Sequence, residues 1–130
     1  MQTFLPYPDF AASARALDRA RLGKQRVEAR QLITALTTGS GWSNHPAARM
    51  WRGHEGALAE YGDAMIEEWI QRGYRNTMPL LTESGPKPHW FGDPAFHAAH
   101  RSNLLRKDPT HYAQFGWAEP PDLPYVWPVL

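Results

Sequence analysis

The sequence predicts an all-α fold. A single compact domain, residues 1–130, would hold three main helices, with long Pro/Gly-rich connections, an extended N-terminus and an aromatic extended C-terminal tail. Three observations carry this. The run from Ala14 to Leu36 is rich in Ala, Leu, Arg, Gln and Glu, and Gly23 is the only poor helix former in it. Asn44-His45-Pro46 and Asp93-Pro94 each read as a cap followed by a first-turn proline. No stretch keeps the period-2 alternation of a strand. A hydrophobic content of 42% and a charged content of 21% belong to a chain that buries a real core.

In order, MQTFLPYPDF is expected to be extended, because Pro6 and Pro8 exclude a helix. Asp9 or Ser13 caps the first helix, and Gly39, Ser40 and Gly41 stop it. The second helix is predicted from about Pro46 to Arg72. Trp51, Leu58, Met65 and Trp69 recur on one side with Tyr61 near them, and Gly73 ends it. Gly53, Gly56 and Gly62 lower its propensity and admit a close neighbour, the first helix being the candidate. Residues 74–92 read as a long loop, a feature that in a small domain is often functional. The third helix runs from Asp93-Pro94 to about Lys107 with Phe96, Leu104 and Leu105 towards the core, and Asp108-Pro109 opens a short helical turn through Tyr112. The tail FGWAEPPDLPYVWPVL has too many prolines for a helix and too many aromatics for a disordered linker. It should lie extended across the body, with Trp117, Tyr125 and Trp127 packed or presented.

Composition excludes several chemistries. A net charge of +1 gives no whole-protein field for binding nucleic acid, so any basic face must come from segregation. Without cysteine there is no disulfide and no thiol chemistry, which is compatible with a cytoplasmic protein. No secretion signal and no apolar run of membrane-span length is present, so no membrane partner is expected. His97 and His100 at i,i+3 are a possible ligand pair, but the histidines form no compact cluster with acids, so neither metal nor cofactor is expected. No serine lies in an elbow motif, and no glycine-rich phosphate loop occurs.

The chemistry-bearing stretch is the first helix. Steps of four and three along it give Ala14, Asp18, Arg21, Gln25, Glu28, Leu32 and Leu36, a core stripe whose middle is polar. One reading is a surface helix with ion pairs, Asp18 to Arg21 and Arg21 to Glu28. The other is a cleft floor, with carboxylates beside arginine set for acid–base work, and the rest of the chain favours it. Arg15, Arg19, Arg26 and Arg30 form a basic stripe on a neighbouring face. With Lys24, Arg49, Arg52, Arg101, Arg106 and Lys107 and the abundant aromatics, this suits a surface that clamps a phosphate backbone and stacks bases. The expected DNA contacts are Arg19, Lys24, Arg26, Arg30, Asn44, His45, Arg49, Arg101, Tyr112 and Tyr125. Asn44 and His45 are included because a helix N-terminus favours an anion.

WSNHPAARMW, AEYGDAMIEEWIQRGY and HRSNLLRKDPTHY resemble the blocks of bacterial proteins related to the phage-type pyrimidine-dimer DNA glycosylases (endonuclease V type). The specific signal is the combination of Asn44-His45-Pro46, Arg72-Gly73-Tyr74 and Arg106-Lys107-Asp108-Pro109 with Tyr112, in order over most of the chain. The resemblance implies an all-α domain, monomeric, whose N-terminus threads between helices. It implies excision of a base from double-stranded DNA, with the target nucleotide flipped out of the stack. In that family the N-terminal α-amine attacks the sugar C1′ and forms a Schiff base, which also permits strand cleavage at the abasic site, and a glutamate on the first long helix assists. An α-amine suits this because much of it is neutral near physiological pH. Met1 and Gln2 thus join Asp18, Arg21, Gln25 and Glu28 as the expected catalytic group. Two departures are visible. Gln2 stands where the best-known members carry a small residue, so Met1 is expected to be retained. The family glutamate directly follows an arginine, whereas Leu22 follows Arg21, which leaves the role open between Asp18 and Glu28. The departures point to a divergent glycosylase acting on a damaged or bulky modified pyrimidine-derived base, in repair or in defence against modified phage DNA. A carboxylate that activates water would serve as well as an amine. A non-catalytic nucleic-acid-binding module and a hydrolase or lyase of free nucleosides are the alternatives.

Overall fold

The helix expected over 14–36 is two helices, and the reason is local. Asp9 caps α1 (Phe10–Ala16) by accepting the Ala12 N–H at 2.7 Å, the cap position foreseen for the first helix. Leu17 then turns extended, with ψ 141°, and Asp18 caps α2 (Arg19–Thr38) by accepting the Arg21 N–H at 3.4 Å. Asp18 is therefore a helix cap and not a member of the helix face on which the sequence placed it. Gly39, at φ +69°, ends α2 in the left-handed conformation that glycine tolerates. The helix expected over 46–72 is broken likewise. One turn, α3 (Pro46–Arg49), is followed by an irregular stretch with Gly53 at φ +84°, and α4 (Glu55–Gln71) begins after it. The third helix, α5 (Pro94–Lys107), and the short α6 (Pro109–Tyr112) start at the prolines that announced them. The computed structural model describes residues 1–128, and among them there is no strand. Val129 and Leu130, the end of the expected extended tail, lie outside the described residues.

α2 and α4 run antiparallel in close contact. A Cβ on Gly62 would stand 3.2 Å from the Ala29 Cβ, and one on Gly23 would stand 3.0 Å from the Trp69 ring. Gly56 meets the loop instead of the first helix, since a Cβ there would be 2.5 Å from the Ser84 carbonyl oxygen. The 74–92 segment is fastened at several points. Asp63 accepts the Leu81 and Thr82 N–H groups at 2.9 and 2.8 Å. The arginine stripe of α2 also holds it: Arg19 lies over the Tyr74 ring, Arg26 lies over Trp69 and bonds Asn76 at 2.6 Å, and Arg30 donates to the Pro79 carbonyl at 2.8 Å.

The chain's first residues run through the middle of the molecule, as the resemblance implied. Residues 2–6 are buried, and Phe4 and Leu5 belong to the core with Leu22, Leu32, Trp51, Leu58, Tyr61, Phe96 and Tyr112. An extended segment without a partner strand must satisfy its backbone through side chains. Leu5 donates its N–H to His100 Nδ1 at 2.9 Å, and its carbonyl accepts from His97 Nδ1 at 2.7 Å. The Gly92 N–H donates to His97 Nε2 at 2.9 Å, which fixes that tautomer. The Tyr61 hydroxyl reaches the Phe4 carbonyl at 3.0 Å, and Trp51 Nε1 donates to Thr3 Oγ1 at 3.0 Å. The tail is clipped along α5: Leu123 N–H donates to Ser102 Oγ at 2.9 Å, and Asn103 Nδ2 donates to the Leu123 carbonyl at 3.1 Å.

Candidate active site

A cleft of about 380 Å³ opens where the chain's start, the first half of α2, the end of α5 and the tail converge. Met1, Gln2 and Phe4 form one side, Arg21, Lys24, Gln25 and Glu28 of α2 another, and Lys107 and Tyr125 close it. Arg21, Gln25 and Glu28 reach one wall because the i, i+4, i+7 spacing holds within unbroken α2.

Gln25 organises the wall. It is 1% exposed, and its carboxamide meets four groups. Oε1 accepts the Phe4 N–H at 3.1 Å and the Tyr61 hydroxyl. Nε2 donates to the Gln2 carbonyl at 2.8 Å and to Glu28 Oε2 at 3.1 Å. One buried side chain thus aligns the threaded segment with the carboxylate. Glu28, 15% exposed at its side chain, also receives the Gln2 N–H at a long 3.5 Å and lies 3.8 Å from Lys24 Nζ. Arg21 does not pair with Glu28; it holds Asp18 at 3.1 Å. Arg21, Lys24 and Lys107 thus face a single carboxylate among the residues lining the cleft, a balance that draws an anion.

Asp18 does not line the cleft. It accepts the Tyr112 hydroxyl at 2.5 Å and the Arg21 guanidinium. Burial works to raise its pKa, but the hydrogen bonds from Tyr112 and Arg21 and the Arg21 charge outweigh it, and its carboxyl is held below the ordinary value. Burial, together with the bond to Asp18, pushes the Tyr112 hydroxyl well up. Tyr112 is fully buried and stacks on Trp117, so it presents no surface to DNA. Tyr125 is half-buried at the cleft. Burial raises its hydroxyl despite the nearby charges of Arg106 and Arg21, so it stays a proton donor.

The other expected contacts scatter. Arg19 and Arg26 hold the side chains of Tyr74 and Asn76 and Arg30 holds the Pro79 carbonyl, with Arg26 and Arg30 half-buried. Arg101 is bound to Glu119 at 2.8 and 3.1 Å and to the Pro6 carbonyl at 2.8 Å. Arg49 lines a separate hollow of about 240 Å³ with Arg52, His54 and His89. Asn44 is exposed. His45 caps α3 through Nδ1, which accepts the Ala47 N–H at 3.0 Å. That helix is a single turn, too short for the macrodipole that would have favoured an anion. Burial and the charge of the Met1 α-amine lower the His45 pKa, and Trp127 packs edge-on against the ring. Lys107 stood in the sequence among the basic residues suited to a phosphate backbone and in the block that carries the resemblance, but nothing there tied it to Glu28. Tyr61, Trp51, His97 and His100 likewise carried no sign of holding an extended segment. Among the described residues no three His, Asp or Glu side chains gather as a metal site, and no helix is long and apolar enough to cross a membrane.

A family model described as pyrimidine dimer DNA glycosylase matches residues 1–82, the span from the threaded start through α4 into the following loop. Met1, Gln2, Arg21, Gln25 and Glu28 fall within it, whereas Lys107 and Tyr125 fall beyond. No curated protein and no solved structure matches the chain.

Proposed function

The chain belongs to the pyrimidine dimer DNA glycosylase family, and from that premise we propose that it excises a damaged or bulky modified pyrimidine-derived base from double-stranded DNA, with the Met1 α-amine as nucleophile and Glu28 as its acid–base partner. One observation carries the reading. Gln25 holds Glu28 Oε2 and the Gln2 carbonyl together, so a carboxylate stands beside the chain's first residues in a cleft lined by Arg21, Lys24 and Lys107. Asp18, the other carboxylate considered, is occupied as a helix cap.

In the proposed reaction the amine nitrogen bonds to C1′ as the bond from C1′ to the base breaks. The electron pair of that bond leaves with the base. Glu28 takes the proton the amine sheds and returns it to the departing base, so the carboxylate ends as it began. The ring then opens: the nitrogen's lone pair forms the imine as the C1′–O4′ bond breaks, the remaining N–H proton passes to O4′, and loss of a C2′ proton to Glu28 expels the 3′ phosphate. Arg21, Lys24 and Lys107 serve the phosphates flanking the extruded nucleotide, and the Tyr125 ring serves the base.

Single-turnover assays test this on ultraviolet-irradiated duplexes and on duplexes with bulky 5-substituted pyrimidines. Abasic sites are counted before alkali, and the imine is trapped with borohydride. The wild type should release base and be trapped. Glu28→Gln should bind DNA but lose about 10²–10⁴-fold in rate. An unchanged rate in Glu28→Gln overturns the assignment. Base release that survives acetylation of the amine moves the chemistry to water activated by Glu28, and binding with no release of any base leaves a DNA-binding module.

A further inference from the structure

Gln2 has an unused donor. Its backbone is engaged on both sides: the carbonyl accepts from Gln25 at 2.8 Å, and the N–H points to Glu28 at 3.5 Å. Its Oε1 accepts the Thr3 N–H at 2.9 Å, which also fixes which end of the carboxamide is nitrogen. Nε2 has no hydrogen-bond partner, although Gln2 is only 6% exposed and lines the cleft. A buried N–H left unpaired is destabilising, and the bond to Thr3 uses only Oε1, so it accounts for an acceptor at this position and not for the donor.

We propose that Gln2 is a specificity-determining residue of the cleft: its Nε2–H, closed off while the cleft is empty, turns towards it and donates to the O2 carbonyl of the pyrimidine to be removed. This rests on the glycosylase reading above. When the bond between C1′ and N1 breaks, the pair left on N1 spreads onto O2, so a donor aimed there binds the base and stabilises it more as it leaves. No proton transfers at this bond; the proton gained by the base comes from the amine through Glu28. A donor at this place favours a ring with a carbonyl next to the glycosidic nitrogen.

The test compares wild type, Gln2→Met and Gln2→Glu on the same duplex panel and on a duplex with a preformed abasic site. Gln2→Met keeps the length and loses the donor. Gln2→Glu keeps an acceptor for Thr3 and also loses the donor. Base release should fall on the order of 10²-fold in both, as when one oxyanion-type donor is removed. Affinity of Gln2→Met for the abasic duplex, which has no base to read, should stay within about twofold, whereas Gln2→Glu adds a carboxylate to the cleft, weakens binding to any duplex and is read by the rate of its bound complex. Wild-type rates of base release in both variants overturn the proposal. So does a parallel loss of abasic-site affinity in Gln2→Met, which would mean that Gln2 only holds the threaded segment in place. A wild type that releases no base from any duplex defeats the functional reading itself, and this proposal with it.

Discussion

Leu5 has no strand beside it, yet both of its backbone polar groups are paired, each with a histidine of α5. Those bonds need neutral rings, because Nδ1 of His100 accepts and Nε2 of His97 accepts. Burial pulls His100 down to about 3 and also lowers His97, helped by Arg101. Folded-state values below the ordinary 6.5 mean that the unfolded chain takes up protons first. Stability from this source is therefore level above about pH 6.5 and falls as the pH drops below it, continuing for His100 towards pH 3. For His100 alone the loss reaches roughly 2 kcal/mol by pH 5. Urea midpoints measured from pH 7.5 to 5 should show that decline, and His100→Asn, whose carboxamide oxygen can accept the Leu5 N–H, should show a shallower one. A stability flat across that range would remove the two histidines from the account of how the N-terminus is held.

The α1–α2 junction shows where helix signals stop being readable. Caps and stops written in adjacent residues are legible: Asp9, Pro46, Pro94, Pro109, Gly39 and Gly73 lie where the sequence placed them. The breaks at Leu17–Asp18 and at 50–54 are not, because each depends on a distant part of the fold. Asp18 is only a mediocre helix former in a good helical run, a difference of a few tenths of a kcal/mol. What outweighs it is the Tyr112 hydroxyl, 94 residues away in sequence, which donates to the Asp18 carboxylate. A continuous helix put Asp18 on the same face as Gln25 and Glu28, whereas from Arg21 onward the face lies within one helix and the spacing holds. Asp18→Ala removes a cap worth about 1 kcal/mol and leaves the buried Tyr112 hydroxyl without its acceptor, roughly 1–3 kcal/mol more. Asp18→Asn keeps both the cap and an acceptor. Thermal melts should therefore show a large drop for Ala and a small one for Asn, and Asp18→Asn should release base at near the wild-type rate. A folded but inactive Asp18→Asn would return this carboxylate to the chemistry.

For the molecule as a whole, the wall that α2 gives to the cleft was legible in helical spacing, Met1 and Gln2 came only through the resemblance, and the way Lys107 and Tyr125 close the cleft was not legible. Lys107 and Tyr125 come from the far end of the chain, and no periodicity links them to Glu28. The loop contacts of the arginine stripe were not legible for a related reason: at helical spacing a solvated or DNA-facing arginine looks the same as one reaching back to a loop carbonyl, as Arg30 does to Pro79. The threaded start joins stability to chemistry, and that union can be separated by experiment. Deleting residues 1–5 strips Phe4 and Leu5 from the core, at roughly 1.5–3 kcal/mol each. It also leaves Trp51 Nε1, His97 Nδ1 and His100 Nδ1 without partners, at about 1–3 kcal/mol each, while Gln25 and Tyr61 keep each other. The sum is comparable to the whole stability of a typical domain, about 5–15 kcal/mol, so the truncated chain should show no cooperative melt. Lengthening is different. Met1 is half-exposed at the cleft, so residues added before it need not disturb the core. An N-terminally extended protein should melt close to the wild type and yet lose borohydride trapping, because its α-amine no longer lies beside Glu28. Proteolytic removal of the extension back to Met1 should restore trapping. A truncated chain that melts cooperatively would show that the threaded segment is not part of the core's stability, and an extended protein with full trapping would take the Met1 amine out of the mechanism.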